Sequence, residues 1–96
     1  MNHAFGLIHN HHERSVYEAI AQQADNHPHL ASNEDLLCDV ACVALNRLPP
    51  RYIRHAVDFA FYLSEKERSE SDLAVAEAVR FAFEFVQARV AMRARS

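Results

Sequence analysis

The sequence predicts an all-α protein, a compact bundle of about four to five helices in a single domain. Two observations indicate this fold class. Half of the 96 residues are hydrophobic, yet the chain has only one glycine and three prolines, so few positions favour a sharp turn. Apolar residues also recur at the i, i+3, i+4 spacing along most of the chain, which is the pattern of helices with one buried face.

The composition also excludes several classes of function. The single glycine, Gly6, cannot form a glycine-rich loop around phosphate, so neither a P-loop nor a dinucleotide fingerprint is possible. The formal net charge of −3 gives no reason to expect nucleic acid or an anionic membrane as a partner. The sequence has no apolar run that could span a membrane and no secretory signal, and we therefore expect a cytoplasmic protein.

The first part of the chain predicts one helix followed by a loop. Residues 1 to 9 are expected to fray. Apolar residues one helical turn apart predict a first helix over about residues 10 to 24. Residues 25 to 31 contain Pro28 and indicate a loop.

A second helix is predicted between a capping residue and a proline pair. Ser32 is a suitable N-cap, and Asp35 lies three residues later as its acidic partner. Because a proline disfavours helix in the residue before it, Pro49 and Pro50 must end this helix near Leu48.

Beyond the prolines, the sequence predicts a short third helix and a long fourth one. The apolar residues that indicate the third helix are Ile53, Val57, Ala60 and Phe61. Residues 64 to 71 are polar and are expected to connect the two helices. Ser69 is a candidate cap, with Asp72 at the third position, for a fourth helix that runs to about residue 91.

The fourth helix has more apolar surface than one buried face requires. One stripe consists of Ala76, Val79, Phe83, Val86 and Val90. A second stripe consists of Ala78, Phe81, Phe85, Ala88 and Met92. A surface helix needs a single apolar stripe, so the second one completes the core of a small monomer or forms a self-association face. The residues alone leave both possibilities open.

The stretch "ALNRLPPRY", residues 44 to 52, is the strongest candidate for a binding site. A rigid proline pair fixes the direction in which the chain leaves the helix. Arginine binds phosphate through two hydrogen bonds and stacks on flat rings, so arginines beside a tyrosine suit a ligand with phosphates and bases. The candidate ligand-binding residues are Asp39, Asn46, Arg47, Pro49, Pro50, Arg51, Tyr52 and Arg54. The alternative is a helix stop followed by ordinary surface arginines.

Metal binding and catalysis are weaker alternatives. A Cys/His zinc site is conceivable from His27, His29, Cys38 and Cys42. Cys42, however, is predicted to lie on or beside the apolar face, where a free cysteine behaves as a small hydrophobe, and we expect no cofactor. No nucleophile, base and orienting group can be combined without arbitrary choices, so we expect no enzyme.

The central motif gives the chain a family resemblance. The stretch "DVACVALNRLPPRY", from Asp39 to Tyr52, resembles the core of the ComFB-like, late competence development proteins. The upstream "HNHHERSVYEAI" is similar to the opening helix of that family, with Asn10, Glu13 and Val16 at matching positions. The resemblance covers about residues 9 to 90.

The resemblance implies a small, all-helical bacterial regulator that forms a homodimer. Some members bind cyclic di-nucleotides, chiefly cyclic di-GMP, and influence motility, pili or natural competence. The positions carried over from the motif are Asp39, Asn46, Leu48, Pro49, Pro50 and Tyr52, whereas Arg47 and Arg51 stand at variable positions of the family. Asp35 stands where the nucleotide-binding members tend to have lysine. The competing interpretation is a ligand-free dimeric adaptor for an unknown protein partner, in which the motif is only a structural corner.

Overall fold

The computed structural model describes residues 3–55 and 63–95, and it confirms the all-α prediction. The helices are α1 (His12–Gln23), α2 (Pro28–Ala31), α3 (Glu34–Arg47) and α4 (Glu65–Arg95). Helices α1 and α3 each pack along the long helix α4 and against each other. Two 3-10 turns (His3–Leu7 and Ala24–Asn26) and two short strands, β1 (His9–Asn10) and β2 (Tyr52–Ile53), complete the described elements.

Helix α1 lies close to its predicted bounds. It buries Val16, Ala19 and Ile20, which lie on one face because three or four residues make one helical turn. Before it, residues 3–7 form a 3-10 turn and β1 begins at His9.

The loop predicted for residues 25 to 31 contains regular structure instead. A 3-10 turn ends at Asn26, and α2 begins at Pro28. Proline favours the first helical position because its fixed φ suits a helix and no intrahelical N–H is needed there. This one-turn helix places Leu30 in the hydrophobic core, where the residue is 3% exposed.

Helix α3 ends as predicted but begins with a different cap. The side chain of Asn33, not Ser32, accepts a hydrogen bond from the backbone N–H of Leu36 at 3.2 Å. The Ser32 hydroxyl instead donates to the carbonyl of His29. At the other end Leu48 is already extended (φ −90°, ψ 140°), as expected for a residue that precedes a proline.

Helix α4 begins earlier than the sequence predicts. The side chain of Ser64, not that of Ser69, caps it by accepting from the backbone N–H of Glu67 at 3.1 Å. The prediction of a polar connection over residues 64 to 71 was therefore wrong. Glutamates in the first turn favour this earlier start, since carboxylates stabilise the positive end of a helix. With 31 residues, α4 is about 46 Å long at 1.5 Å per residue.

The hydrophobic core is a single cluster in which α4 contributes the largest side chain. Phe83, Val79, Val16 and Val40 are fully buried, and they come from α4, α1 and α3. The core uses the middle of the first apolar stripe and the N-terminal end of the second. Further along the second stripe the side chains are exposed, with Phe85 at 40% and Met92 at 69%.

A short strand pair lies where the third helix was expected to begin. Tyr52 and Ile53 form β2, which pairs antiparallel with β1, so that His9 faces Ile53 and Asn10 faces Tyr52. The rest of that predicted helix, over residues 56 to 62, lies outside the described residues. Within the described ranges, no helix combines the length and the hydrophobicity needed to cross a bilayer.

We expect Asn10→Ala to lower the free energy of unfolding by about 1–2 kcal/mol, a loss typical of removing a side-chain cap that serves backbone N–H groups. The Asn10 side-chain oxygen accepts from the backbone N–H of His12 at 3.1 Å and from that of Arg51 at 3.4 Å. Urea unfolding followed by circular dichroism measures the change. Asn26→Ala, at an exposed position, is the control. Equal stability of the two variants would show that the hydrogen bonds of Asn10 do not stabilise the contact between α1 and the proline segment.

Candidate functional site

The proline segment is held in place by the start of α1. The N–H of His11 donates to the carbonyl of Arg51 at 2.6 Å, next to the β1–β2 pair. Asn10 accepts from the N–H of Arg51 on the same side. Pro49 and Pro50 have no N–H of their own, so these neighbouring bonds fix the direction of the chain.

One face of this segment forms a cleft that we call the corner cleft. Its volume is about 390 Å³, and its lining residues are Asn10, Glu13, Cys42, Leu45, Asn46, Leu48, Pro50 and Tyr52. The Tyr52 ring is 68% exposed and thus accessible to a ligand. The polar groups around it are two amides and one carboxylate, which can donate to and accept from the edge of a base.

The corner cleft unites residues that are distant in the sequence. Asn10 and Glu13 come from the opening of the chain, and Asn46, Pro50 and Tyr52 come from the end of the central motif. Both stretches resemble one family, but the sequence gives no reason for them to be in contact. The β1–β2 pairing supplies that reason, because it places Asn10 opposite Tyr52.

The other face of the proline segment forms a larger cleft, which we call the histidine cleft. Its volume is about 480 Å³, and its lining residues are His11, His12, Leu48, Pro49, Pro50, Arg51, Leu63, Glu67, Glu70, Ser71 and Ala74. Its carboxylates outnumber its single guanidinium. The cleft therefore does not favour a phosphate, although Arg51 contributes to its wall.

The two histidines of this cleft favour their neutral forms. Burial is the main reason that the pKa of His11 lies below its ordinary value, and the neighbouring His12 and Arg51 lower it further. For His12, burial again lowers the pKa, the backbone of Pro49 raises it by less, and Arg51 lowers it. Nδ1 of His12 is buried without a hydrogen-bond partner in the described part of the chain.

A third concave surface, the α3–α4 groove, contains Asp39. Its volume is about 300 Å³, and its lining residues are Leu36, Asp39, Cys42, Val43, Val86, Arg89, Val90 and Arg93. Sequence reasoning missed Arg89 and Arg93. Their i, i+4 spacing on the predicted fourth helix was a signal that both could face one neighbour, but it did not identify α3 as that neighbour.

The remaining candidate arginines lie apart from these surfaces. The Arg47 guanidinium lies 3.8 Å from the centroid of the Phe81 ring, which is a cation–π contact between α3 and α4. Arg54 is exposed after β2. The structure thus brings Asn46, Pro50 and Tyr52 together in the corner cleft. In contrast, Asp39 lines the α3–α4 groove, Arg47 contacts the Phe81 ring and Arg51 lines the histidine cleft.

Of the four residues of the zinc alternative, His27 contacts α4, and His29, Cys38 and Cys42 are exposed. His27 stacks on the Phe83 ring at 4.5 Å between centroids, and its Nδ1 lies 3.0 Å from the Gln87 side-chain oxygen. Cys42, expected at the apolar face, is exposed on α3, as is Cys38. Across residues 3–55 and 63–95, no three His, Cys, Asp or Glu side chains are grouped closely enough to bind a metal ion.

We expect stability to fall as the pH decreases below the ordinary histidine pKa of 6.5. The folded-state pKa values of His11 and His12 are lowered, so below that pH the unfolded chain binds more protons than the folded chain. Above that pH, both histidines are neutral in the folded and in the unfolded chain, so they no longer make stability depend on pH. Changing both histidines to glutamine should therefore reduce the loss of stability between about pH 7.5 and about pH 5.5.

Urea unfolding at both pH values tests this prediction. His29→Gln is the control, since His29 is exposed on α2. An unchanged pH dependence in the His11→Gln, His12→Gln variant would contradict it.

One protein family accounts for both halves of the corner cleft. The family model described as "Late competence development protein ComFB" matches residues 9–90, a range that includes both halves of the corner cleft. No curated protein and no solved structure shows a significant match to the chain. Since the matched range covers most of the sequence and the whole of the site, the chain belongs to the ComFB family of late competence development proteins.

Proposed function

We propose that this protein is a receptor for a cyclic di-nucleotide, with cyclic di-GMP as the first candidate, and that ligand binding regulates motility, pili or competence. Membership of a family of late competence development proteins supports a regulatory role. The observation that carries the proposal is the convergence of Asn10, Glu13 and Asn46 around the exposed ring of Tyr52.

The corner cleft has the chemistry that an unpaired base requires. Proteins recognise such bases by stacking them on aromatic rings and by hydrogen bonding to their edges. The Tyr52 ring supplies the stacking surface. The Glu13 carboxylate accepts hydrogen bonds, as guanine N–H groups need, and the Asn46 amide can donate and accept. The Asn10 oxygen already accepts from two backbone N–H groups, so its amide nitrogen can donate to the ligand.

The positions of the acidic and basic residues also bear on ligand binding. Asp35, which replaces a lysine of the nucleotide-binding members, is exposed on α3 and is not among the residues that line the corner cleft. Arg51 and Arg54 flank β2, but Arg51 lines the histidine cleft together with two glutamates, and Arg54 lines none of the three surfaces.

Tyr52→Ala should weaken binding of the cyclic di-nucleotide by about 5-fold to 150-fold, because stacking of a base on an aromatic ring contributes about 1–3 kcal/mol. Tyr52→Phe keeps the ring and should retain most of the affinity. Isothermal titration calorimetry with cyclic di-GMP and cyclic di-AMP measures both effects. Tyr17→Ala is the matched control, since Tyr17 is 53% exposed and lies on α1 outside the corner cleft.

The absence of heat with either nucleotide at tens of micromolar would refute the receptor proposal. Equal affinities of wild type and Tyr52→Ala would instead show that the ligand binds elsewhere.

A ligand-free dimeric adaptor is the second candidate, and the exposed apolar side chains of α4 favour it. Phe85 and Met92 lie two turns apart on one stripe of the helix, at 40% and 69% exposure. Small domains often gain apolar burial by pairing, and an exposed stripe of large apolar residues is suited to that. A dimer is compatible with both candidates, so this surface would serve either.

We expect wild type to be a dimer by light scattering and the Phe85→Glu, Met92→Glu variant to be a monomer, because the interface would bury two carboxylates without partners. Tyr17→Glu, which places the same charge at an exposed aromatic position of α1, should remain dimeric. A monomeric wild type would contradict the proposed dimer. A dimeric double variant would exclude this stripe as the interface.

A further inference from the structure

The α3–α4 groove is the one concave surface among the three described above that has more cationic than anionic lining side chains. Arg89 and Arg93 face it together with Asp39. The corner cleft has a carboxylate and no arginine or lysine among its lining residues, and the histidine cleft has two carboxylates and one arginine. A phosphate therefore meets favourable charge in the groove and unfavourable charge in the two clefts.

The groove and the corner cleft adjoin at Cys42, which lines both surfaces. Asp39, Cys42 and Asn46 follow one another at i, i+3 and i+7, so they lie along one exposed face of α3. Asp39 and Asn46 are about 10 Å apart along the helix axis at 1.5 Å per residue. A ligand with several parts can therefore extend along this face from one surface to the other.

We propose that Arg89 and Arg93 form the phosphate subsite of this protein and bind a phosphodiester group of the ligand whose base occupies the corner cleft. This inference rests on the proposed function and adds residues and a position that the central motif does not contain. The motif supplies the base contacts from α3 and β2, and α4 supplies the cations.

The surroundings of the two arginines suit this role. Leu36, Val43 and Val90 line the same groove, and apolar walls strengthen the attraction between a guanidinium and a phosphate. Arg89 also lies over the Phe85 ring, with its guanidinium carbon 5.8 Å from the ring centroid, which limits where the side chain points. Arginine at each position offers a planar pair of donors that matches two phosphate oxygens.

Asp39 has a separate role in the same groove. A carboxylate repels phosphate but accepts a hydrogen bond from a ribose 2′-hydroxyl, as acidic residues do in dinucleotide-binding folds. Asp39 lines the groove together with the two arginines and shares an exposed face of α3 with Asn46 of the corner cleft, so it can meet the sugar that links a bound phosphate to a stacked base.

The test is calorimetry with cyclic di-GMP and cyclic di-AMP on wild type and on the Arg89→Gln, Arg93→Gln variant. We expect the variant to lose at least tenfold in affinity for whichever nucleotide wild type binds. Its affinity should also depend less steeply on salt concentration, because fewer phosphate contacts release fewer counterions. The Arg14→Gln, Arg80→Gln variant is the matched control, because it removes the same charge from exposed ion pairs outside the groove.

Arg89→Lys with Arg93→Lys keeps the charge and removes the paired donors, and this variant should bind with intermediate affinity. If wild type binds neither nucleotide, the proposed function fails and the subsite fails with it. If wild type binds and the glutamine variant matches it in affinity and salt dependence, the subsite alone is wrong. An equally large loss of affinity in the control variant would also refute the phosphate subsite. The loss would then come from the removal of two positive charges and not from the positions of Arg89 and Arg93.

Discussion

The break that Pro49 and Pro50 impose at the end of α3 is the constraint on which the rest of the structure depends. Neither residue can donate a backbone hydrogen bond or continue the helix, so the chain leaves α3 in an extended form. The start of α1 holds this extended segment through His11 and Asn10. Leu48 and Pro50 of this segment line both the corner cleft and the histidine cleft.

Charge and exposure divide the surface of the bundle into distinct regions. The corner cleft presents an exposed ring with amides, the histidine cleft presents neutral imidazoles beside carboxylates, and the α3–α4 groove presents two guanidinium groups. Arg47 belongs to none of them, since it covers the face of Phe81. An arginine within the motif thus has a packing contact, while arginines distant from the motif in the sequence have the arrangement that suits an anion.

The differences between expected and observed helix bounds have local physical reasons. Asn33 replaces Ser32 as the cap because its extended backbone allows its side chain to reach the N–H of Leu36. The choice between Ser64 and Ser69 for α4 was harder to predict. Both are serines with an acidic residue three positions later, and the first of them, Ser64, caps the helix in the structure. A polar stretch without apolar periodicity can be helical when glutamates and lysines support its first turns.

The sequence by itself determined the helical class, the burial of the Val79 and Phe83 stripe, the end of α3 and the family, because periodicity, proline sterics and a contiguous motif are all local properties of the chain. Only the tertiary structure decided that Asn10 meets Tyr52 and that Arg89 and Arg93 share a groove with Asp39. Such pairs depend on how strands and helices far apart in the sequence pack against one another. Spacing along one helix shows which residues share a face but not what that face contacts.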